Sequence, residues 1–306
     1  MAERDVELRA AQEALVAHYA PGTRISRLRW SGGETQAFEL GSGSPLVLVH
    51  GGGDAAYEWI PVLPALAERH RVIAVDRPGH GLADPFDYRA VDLAEHAVTF
   101  LTEILDALEL EAVDVVANSI GGWWAAVLAL DRPERVKRLV LAGHPPGVTR
   151  DAPLPLRILG APVIGSSLGR FLMRNPTRDG QRKFWGEVLV AYPERLSDVL
   201  LDVDVAHTRR NRDSMLGLIR LVVGPRGVRR EVLLGERWRQ LRVPTVFVHG
   251  DRDAFLTQDV VAAWEAIADE NAHVRIVRIA DAGHLPWIDE SEAVVSAIEQ
   301  HLEAPD

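Results

Sequence analysis

Acyl-transfer chemistry needs a side chain that attacks, a base that takes its proton and a group that orients the base. Ser119 is the best placed nucleophile in this chain. It stands in Ala117-Asn118-Ser119-Ile120-Gly121-Gly122, where the apolar run VDVVA (113–117) passes at once into a helical pattern. A serine on so sharp a strand-to-helix turn is lifted clear of the strand. Small residues two before and two after it avoid clashes as the chain doubles back, and the helix start offers free N–H groups. The same serine would also make an ordinary helix N-cap.

Carboxylates and imidazoles occur at matching places. Asp251 and Asp253 in GDRDAF (250–255) follow the run VPTVFVH (243–249), and His284 in DAGHLPW (281–287) follows HVRIVRI (273–279). His50, His144 and His249 also end or follow apolar runs, and His80 lies in a Pro-Gly-His-Gly turn, so all four border the same crevice. His50-Gly51-Gly52-Gly53 follows the run at 45–49. Successive glycines let backbone approach a ligand and aim an N–H at it, with Gly52 or Gly53 as the donor.

The elements that must hold these residues are legible as a pattern. Short apolar runs at 45–50, 71–76, 113–117, 138–142, 243–249 and 273–279 alternate with helix-length stretches at 57–69, 90–109, 119–130, 259–268 and 290–303. Strands that read as apolar throughout are buried on both faces. The expected architecture is α/β: a mostly parallel sheet with helices on both faces. In such sheets ligands bind at the C-terminal strand ends, where the candidate residues fall. Segments 24–30 and 34–40 flank Ser31-Gly32-Gly33 and predict an added β-hairpin. The first twenty residues predict an amphipathic helix with Leu8, Ala11, Leu15 and Tyr19 near one face. From 146 to 240 the alternation stops, and the segment predicts a helical cap inserted into a body formed by 1–145 and 241–306.

Taken together these motifs resemble the α/β-hydrolase superfamily over roughly residues 24–145 and 241–303. The elbow matches small-x-Ser-x-Gly, with Ala117 in place of the commoner glycine, and Ser119, Asp253 and His284 follow the family's chain order. The usual spacing of Gly followed three residues later by Asp selects Asp253, and leaves Asp251 as a turn former. His50-Gly51-Gly52-Gly53 resembles the HGGG-type oxyanion motif, which implies N–H donors from Gly52 and from Ile120, the residue after the nucleophile. Asp76-Arg77-Pro78-Gly79-His80-Gly81 resembles a structural turn of the family. The resemblance implies a serine hydrolase that cleaves a carboxylic ester or lactone through an acyl-enzyme, with no cofactor and no metal.

A narrower resemblance is to the meta-cleavage-product hydrolases, which cut a C–C bond. It rests on the glycine run, on Asn118-Ser119-Ile120-Gly121-Gly122 and on Trp287 after the histidine, and it makes Gly53, Asn118 and Trp287 candidates for substrate binding. Asp54 stands where that branch usually has Pro, and no residue is assigned as its cap arginine, for which Arg209, Arg210 and Arg212 are candidates. Trp123 and Trp124 would line an acyl pocket or pack the helix. An acyltransferase, a perhydrolase and a ligand receptor use the same scaffold and remain open.

Composition narrows the partners. The 306 residues include no Cys, which removes disulfides, Cys-ligated metals and thiol nucleophiles, and fits a cytoplasmic protein. A net charge of −10 disfavours nucleic acid. No run reaches the roughly 18 apolar residues of a membrane span. The segment 146–240 holds 17 Lys/Arg against 10 Asp/Glu, so it either docks on an acidic body or draws in acidic substrates. The expected partner is therefore a small molecule with an acidic or apolar acyl group.

Overall fold

The computed structural model describes residues 3–162 and 164–304. Helix α1 (Glu3–Tyr19) leads into the hairpin β1 (Arg24–Trp30) and β2 (Gly33–Leu40). Then come β3 (Ser44–Val49), α2 (Leu63–Ala67), β4 (His70–Val75), α3 (Leu93–Ala107), β5 (Val113–Asn118), α4 (Ser119–Asp131) and β6 (Val136–Ala142). Between β6 and the next strand of the sheet lie α5 (Leu154–Leu159), α6 (Ile164–Leu172), α7 (Arg178–Val188), α8 (Asp198–Val222) and the two-residue strands β7 (Val223–Gly224) and β8 (Gly227–Val228). The chain closes with β9 (Thr245–Gly250), α9 (Gln258–Glu270), β10 (Val274–Ile279), α10 (Pro286–Asp289) and α11 (Ser291–Leu302).

Eight strands form one sheet in the order β1-β2-β4-β3-β5-β6-β9-β10. β1 pairs antiparallel with β2, and β2 antiparallel with β4; the others run parallel. The apolar runs are apolar throughout because alternate residues feed two cores. Val47, Val49, Ile73, Val75, Val115 and Ala117 pack with α3, α4 and α9. Leu46, Leu48, Val72, Ala74 and Val116 pack with α1, α2 and α11. The chain leaves β3 toward β4 on one side and returns to β5 on the other. A crevice therefore opens between the C-terminal ends of β3 and β5, which is where such sheets bind ligands.

Some local expectations give way. The stretch 57–69 is a 3-10 turn (Ala56–Trp59) followed by the short α2, because Pro61 and Pro64 supply no N–H to continue a helix. On α1 the buried residues are Leu8, Gln12 and Leu15, while Ala11 and Tyr19 are half-buried. Gln12 goes inside because its carbonyl accepts a hydrogen bond from Gln36 at 2.9 Å. The segment between β6 and β9 shares both cores with the sheet: Leu218 and Val222 of α8 enter one, and Leu200, Leu201 and Val203 the other. Among the described residues no helix is long and apolar enough to cross a membrane.

Candidate active site

The turn that carries Ser119 has no spare residue: β5 ends at Asn118 and α4 begins at Ser119. Ser119 has φ +50°, a left-handed conformation that costs a non-glycine residue about 1–2 kcal/mol. Close contact makes the flanking glycines necessary. A Cβ on Gly121 would strike the carbonyl oxygens of Val49 and His50, and one on Gly51 would strike the Asn118 amide oxygen. The elbow and the glycine loop after β3 are thus pressed together. Gly52 lies beside Ile120, where an added Cβ would sit 3.3 Å from Cγ2 of that side chain.

His284 sits on the loop after β10 and is 1% exposed. Its Nδ1 lies 2.9 Å from Oδ2 of Asp253, and its Nε2 is buried without a hydrogen-bond partner. Asp253 also accepts N–H bonds from Phe255 at 2.9 Å and His144 at 3.3 Å. Burial alone would raise the Asp253 pKa. The attraction of His284 and the bonds from His284 and Phe255 outweigh it, so the pKa is held below the ordinary carboxylate value. Asp253 is therefore an anion throughout the neutral pH range. Asp251 is spent elsewhere: it accepts the Asp281 N–H at 2.8 Å and pairs with Arg278 at 3.2 Å.

The other histidines have structural work. His50 Nε2 accepts the Arg77 N–H at 2.8 Å, and its Nδ1 lies 2.9 Å from the Gly51 carbonyl. His80 Nδ1 meets the Pro78 carbonyl at 3.0 Å. His144 accepts from Trp264 Nε1 at 3.2 Å, and His249 stacks on Phe247. Desolvation pushes the pKa values of His50, His80 and His144 down and keeps those rings neutral.

A cavity of about 580 Å³ opens over these groups. Ser119, His284, Gly52, Gly53, Asn118 and Ile120 line its floor. Its walls include Leu154, Leu168, Phe184, Met215, Leu218 and Phe255, so most come from the segment between β6 and β9. No Lys or Arg lines it among the described residues; its charged-type residues are Asp54, Asp151, Glu187, Asp204 and the histidines. The candidate cap arginines are not among its lining residues. Arg209 pairs with Glu7, Arg210 pairs with Asp5 at 2.6 Å, and Arg212 lies 4.0 Å from Asp213. Asp5 and Glu7 of α1 hold the first two, which the segment's net charge could not reveal. Among the described residues no group of three or more His, Cys, Asp or Glu is placed to hold a metal ion.

Two of the expected binding residues are braces. The Asn118 amide donates to the Ala142 carbonyl at 2.6 Å and to the His284 carbonyl at 3.2 Å, tying the elbow to β6 and to the histidine loop. Trp287 is a correction: it does not line the cavity. It stacks on Trp59 at 3.9 Å and donates to the Glu58 carbonyl at 3.0 Å, because its large ring is more stable in the core. Trp287→Ala is expected to cost about 3–5 kcal/mol of stability, as a lowered urea midpoint would show. Trp123 and Trp124 are packing residues as well. Trp123 donates to the Val232 carbonyl at 2.8 Å, and Trp124 lies under the Arg77 guanidinium.

One polar group in the wall had no sequence signal beyond the oddity of Asp54. The Tyr57 hydroxyl lies 3.1 Å from Oδ1 of Asp54 and 2.8 Å from Oδ1 of Asp204 on α8. Burial first, and then the charge of Asp204, pushes the Asp54 pKa up to about 8. Asp204 lies 150 residues further along the chain, so only the fold could bring the pair together.

Comparison with known proteins adds the family context. Residues 46–297 match the description "Alpha/beta hydrolase family". Over 126 residues the chain is 43% identical to the 2-hydroxy-6-oxo-2,4-heptadienoate hydrolase of Pseudomonas putida, covering 39% of this chain and 44% of that enzyme. The chain thus spans under half the length of that relative. It is 29% identical over 249 residues to the 2-hydroxy-6-oxononadienedioate/2-hydroxy-6-oxononatrienedioate hydrolase of Paraburkholderia xenovorans, covering 79% of this chain and 82% of that one. Among solved structures, carboxylesterase CesB of Bacillus subtilis superposes over the full length of both chains with a TM-score of 0.78 at 18% identity, a likeness of fold.

Proposed function

Because the chain belongs to the alpha/beta hydrolase family, we propose that it is a serine hydrolase cleaving small esters or lactones with an apolar acyl group. The observation that carries this reading is the His284–Asp253 pair at 2.9 Å, with its free Nε2 buried beside the cavity that Ser119 also lines. Ser119 Oγ attacks the ester carbonyl carbon as His284 Nε2 takes the hydroxyl proton. Asp253 holds the imidazole in the required tautomer and stabilises the imidazolium. The carbonyl oxygen becomes an oxyanion, met by the N–H groups of Gly52 and Ile120. The alcohol leaves with the proton from His284, and a water activated by the same ring releases the acid and restores Ser119.

The segment 146–240 serves as the cap, since its leucines, Phe184 and Met215 supply most of the cavity wall. A low-dielectric wall strengthens the oxyanion contacts and limits water at the acyl-enzyme. The uncharged part of the wall suits an apolar acyl chain better than a carboxylate.

A second reading is C–C bond hydrolysis, favoured by the names of the relatives above. Those names describe substrates bearing carboxylates, for which this cavity offers no cation among its described lining residues. Parallel assays separate the two: phenyl esters of short fatty acids against a yellow ring-fission dienoate. Phenol release with an unchanged yellow colour is the expected result. Loss of colour without phenol release would select the C–C reading.

A further inference from the structure

The carboxyl pair in the wall obeys a proton count. A phenol has one hydrogen and donates one bond, yet the Tyr57 oxygen is within hydrogen-bond distance of both Asp54 Oδ1 and Asp204 Oδ1. Two carboxylates cannot both be served by it. The second contact needs a proton supplied by one of the acids.

The remaining contacts say which acid holds it. Asp204 accepts a further bond from Trp185 Nε1 at 2.9 Å, and burial raises its pKa only to about 6, less far than that of Asp54. Donors converge on Asp204, as they do on an ionised carboxylate. Among the described residues Asp54 receives no other side-chain donor; it is 4% exposed and lies on the cavity wall directly after Gly53. The consistent arrangement runs Asp54 Oδ1–H to the Tyr57 oxygen, and Tyr57 O–H to Asp204 Oδ1. Asp54 Oδ2, which no donor of the described residues reaches, is then a neutral carbonyl acceptor beside the glycine loop.

Resting on the ester-hydrolase reading, we propose that Asp54 is a specificity-determining neutral acid whose free oxygen accepts a hydrogen bond from an uncharged hydroxyl on the substrate, and that it turns carboxylates away. A carboxylate brought to Oδ2 would set two acceptors against each other, while a hydroxyl satisfies an acceptor that is otherwise lost to water on closure. The acid must also stay neutral, because an anion next to the oxyanion donors would oppose the charge of the tetrahedral intermediate.

The charged and titratable surroundings favour the neutral form. Asp204 faces it from α8, Tyr57 and Glu58 from the turn before α2, and Arg77 from the loop after β4; behind these, His50 bonds to Arg77 and lies near His80, His207 packs on Tyr57, and His284 lines the same cavity. His50, His80 and His207 are held neutral by burial, so among these groups Arg77 is the one buried cation that opposes protonation.

The test compares phenyl esters of butyrate, 3-hydroxybutyrate and succinate (mono-ester) with wild type, Asp54→Asn and Asp54→Leu. The asparagine variant can reproduce the neutral acid, its amide donating to Tyr57 and its carbonyl facing the cavity; the leucine variant cannot. Wild type is expected to favour 3-hydroxybutyrate over butyrate about fivefold to tenfold, the size of one neutral hydrogen bond, and to disfavour succinate by at least a hundredfold. Asp54→Asn should keep the hydroxyl preference and lose the fall in kcat/KM on the alkaline side near pH 8, while Asp54→Leu should abolish the preference. Infrared difference spectra at pH 7 supply a readout that needs no turnover: wild type minus Asp54→Asn should show a carboxylic-acid C=O band, since that of buried Glu58 is shared by both proteins and cancels. Absence of that band, equal behaviour of the asparagine and leucine variants, or an alkaline limb that survives in Asp54→Asn would each overturn the proposal. Should the band be present while no ester is hydrolysed, the esterase reading fails and the protonation of Asp54 stands, but its role in ester selection falls.

Discussion

Replacing Ser119 with alanine is expected to lower kcat for ester hydrolysis on the order of 10⁶-fold, the loss seen when a triad serine is removed and only the oxyanion site and binding remain. The fold should not suffer. Alanine at φ +50° is as strained as serine there, and among the described residues no hydrogen bond ties the serine hydroxyl to the rest of the site. Ser119→Gly extends the test in the opposite direction. Glycine relieves the left-handed strain, so this variant should be equally inactive yet more stable by up to about 1 kcal/mol, after its larger unfolded-state entropy is set against the relief. Thermal melts read the second effect and ester turnover the first. A serine that served only as a helix cap would show the reverse: activity retained and stability lost in Ser119→Ala.

The second large effect separates two aspartates that lie two residues apart. Asp253→Asn is expected to cost on the order of 10⁴ in kcat, because an amide at that position favours the wrong tautomer of His284 and cannot stabilise its cation. Asp251→Asn should change kcat by no more than a few-fold, since Asp251 is bonded to Asp281 and Arg278 on the outer side of the loop. Acid stability carries the same signature. The Asp253 pKa lies below its unfolded value, so its stabilising contribution is present above the ordinary value of 3.8 and fades as pH falls through the lower folded value. In Asp253→Asn that part of the acid transition should vanish.

The floor of the site was legible from sequence because local geometry dictates it. A serine that starts a helix directly after a buried strand leaves room only for small neighbours, and Gly121 and Gly51 show the contact that forces the choice. Asp253 and His284 each follow a strand end in a parallel sheet, so their convergence was implied once the strands were found. The ceiling of the cavity was not legible. The helices between β6 and β9 read as amphipathic stretches, but which face meets the cavity depends on how α8 packs on both cores.

Long-range polar pairing failed for the same reason. Nothing around Asp204 in the α8 sequence marks a residue that will meet Tyr57, and nothing in Arg209 or Arg210 shows that α1 will neutralise them. Trp287 misled because a tryptophan after the histidine fits both a binding wall and a core, and here it finds Trp59. Asn118 did two things at once: it lines the cavity, yet its amide is bonded to β6 and to the histidine loop.

The proposed ester hydrolysis requires Ser119, His284 and the Gly52–Ile120 backbone to act together on an acyl carbon. Treatment with a small fluorophosphonate, followed by mass mapping of the modified peptide, probes that cooperation in one step, since the reagent needs both an activated serine and a working oxyanion site. One phosphonyl group per chain is expected on Ser119, absent in Ser119→Ala and in His284→Ala. Labelling on another residue, or labelling of Ser119 that persists unchanged in His284→Ala, would refute the assignment of these roles.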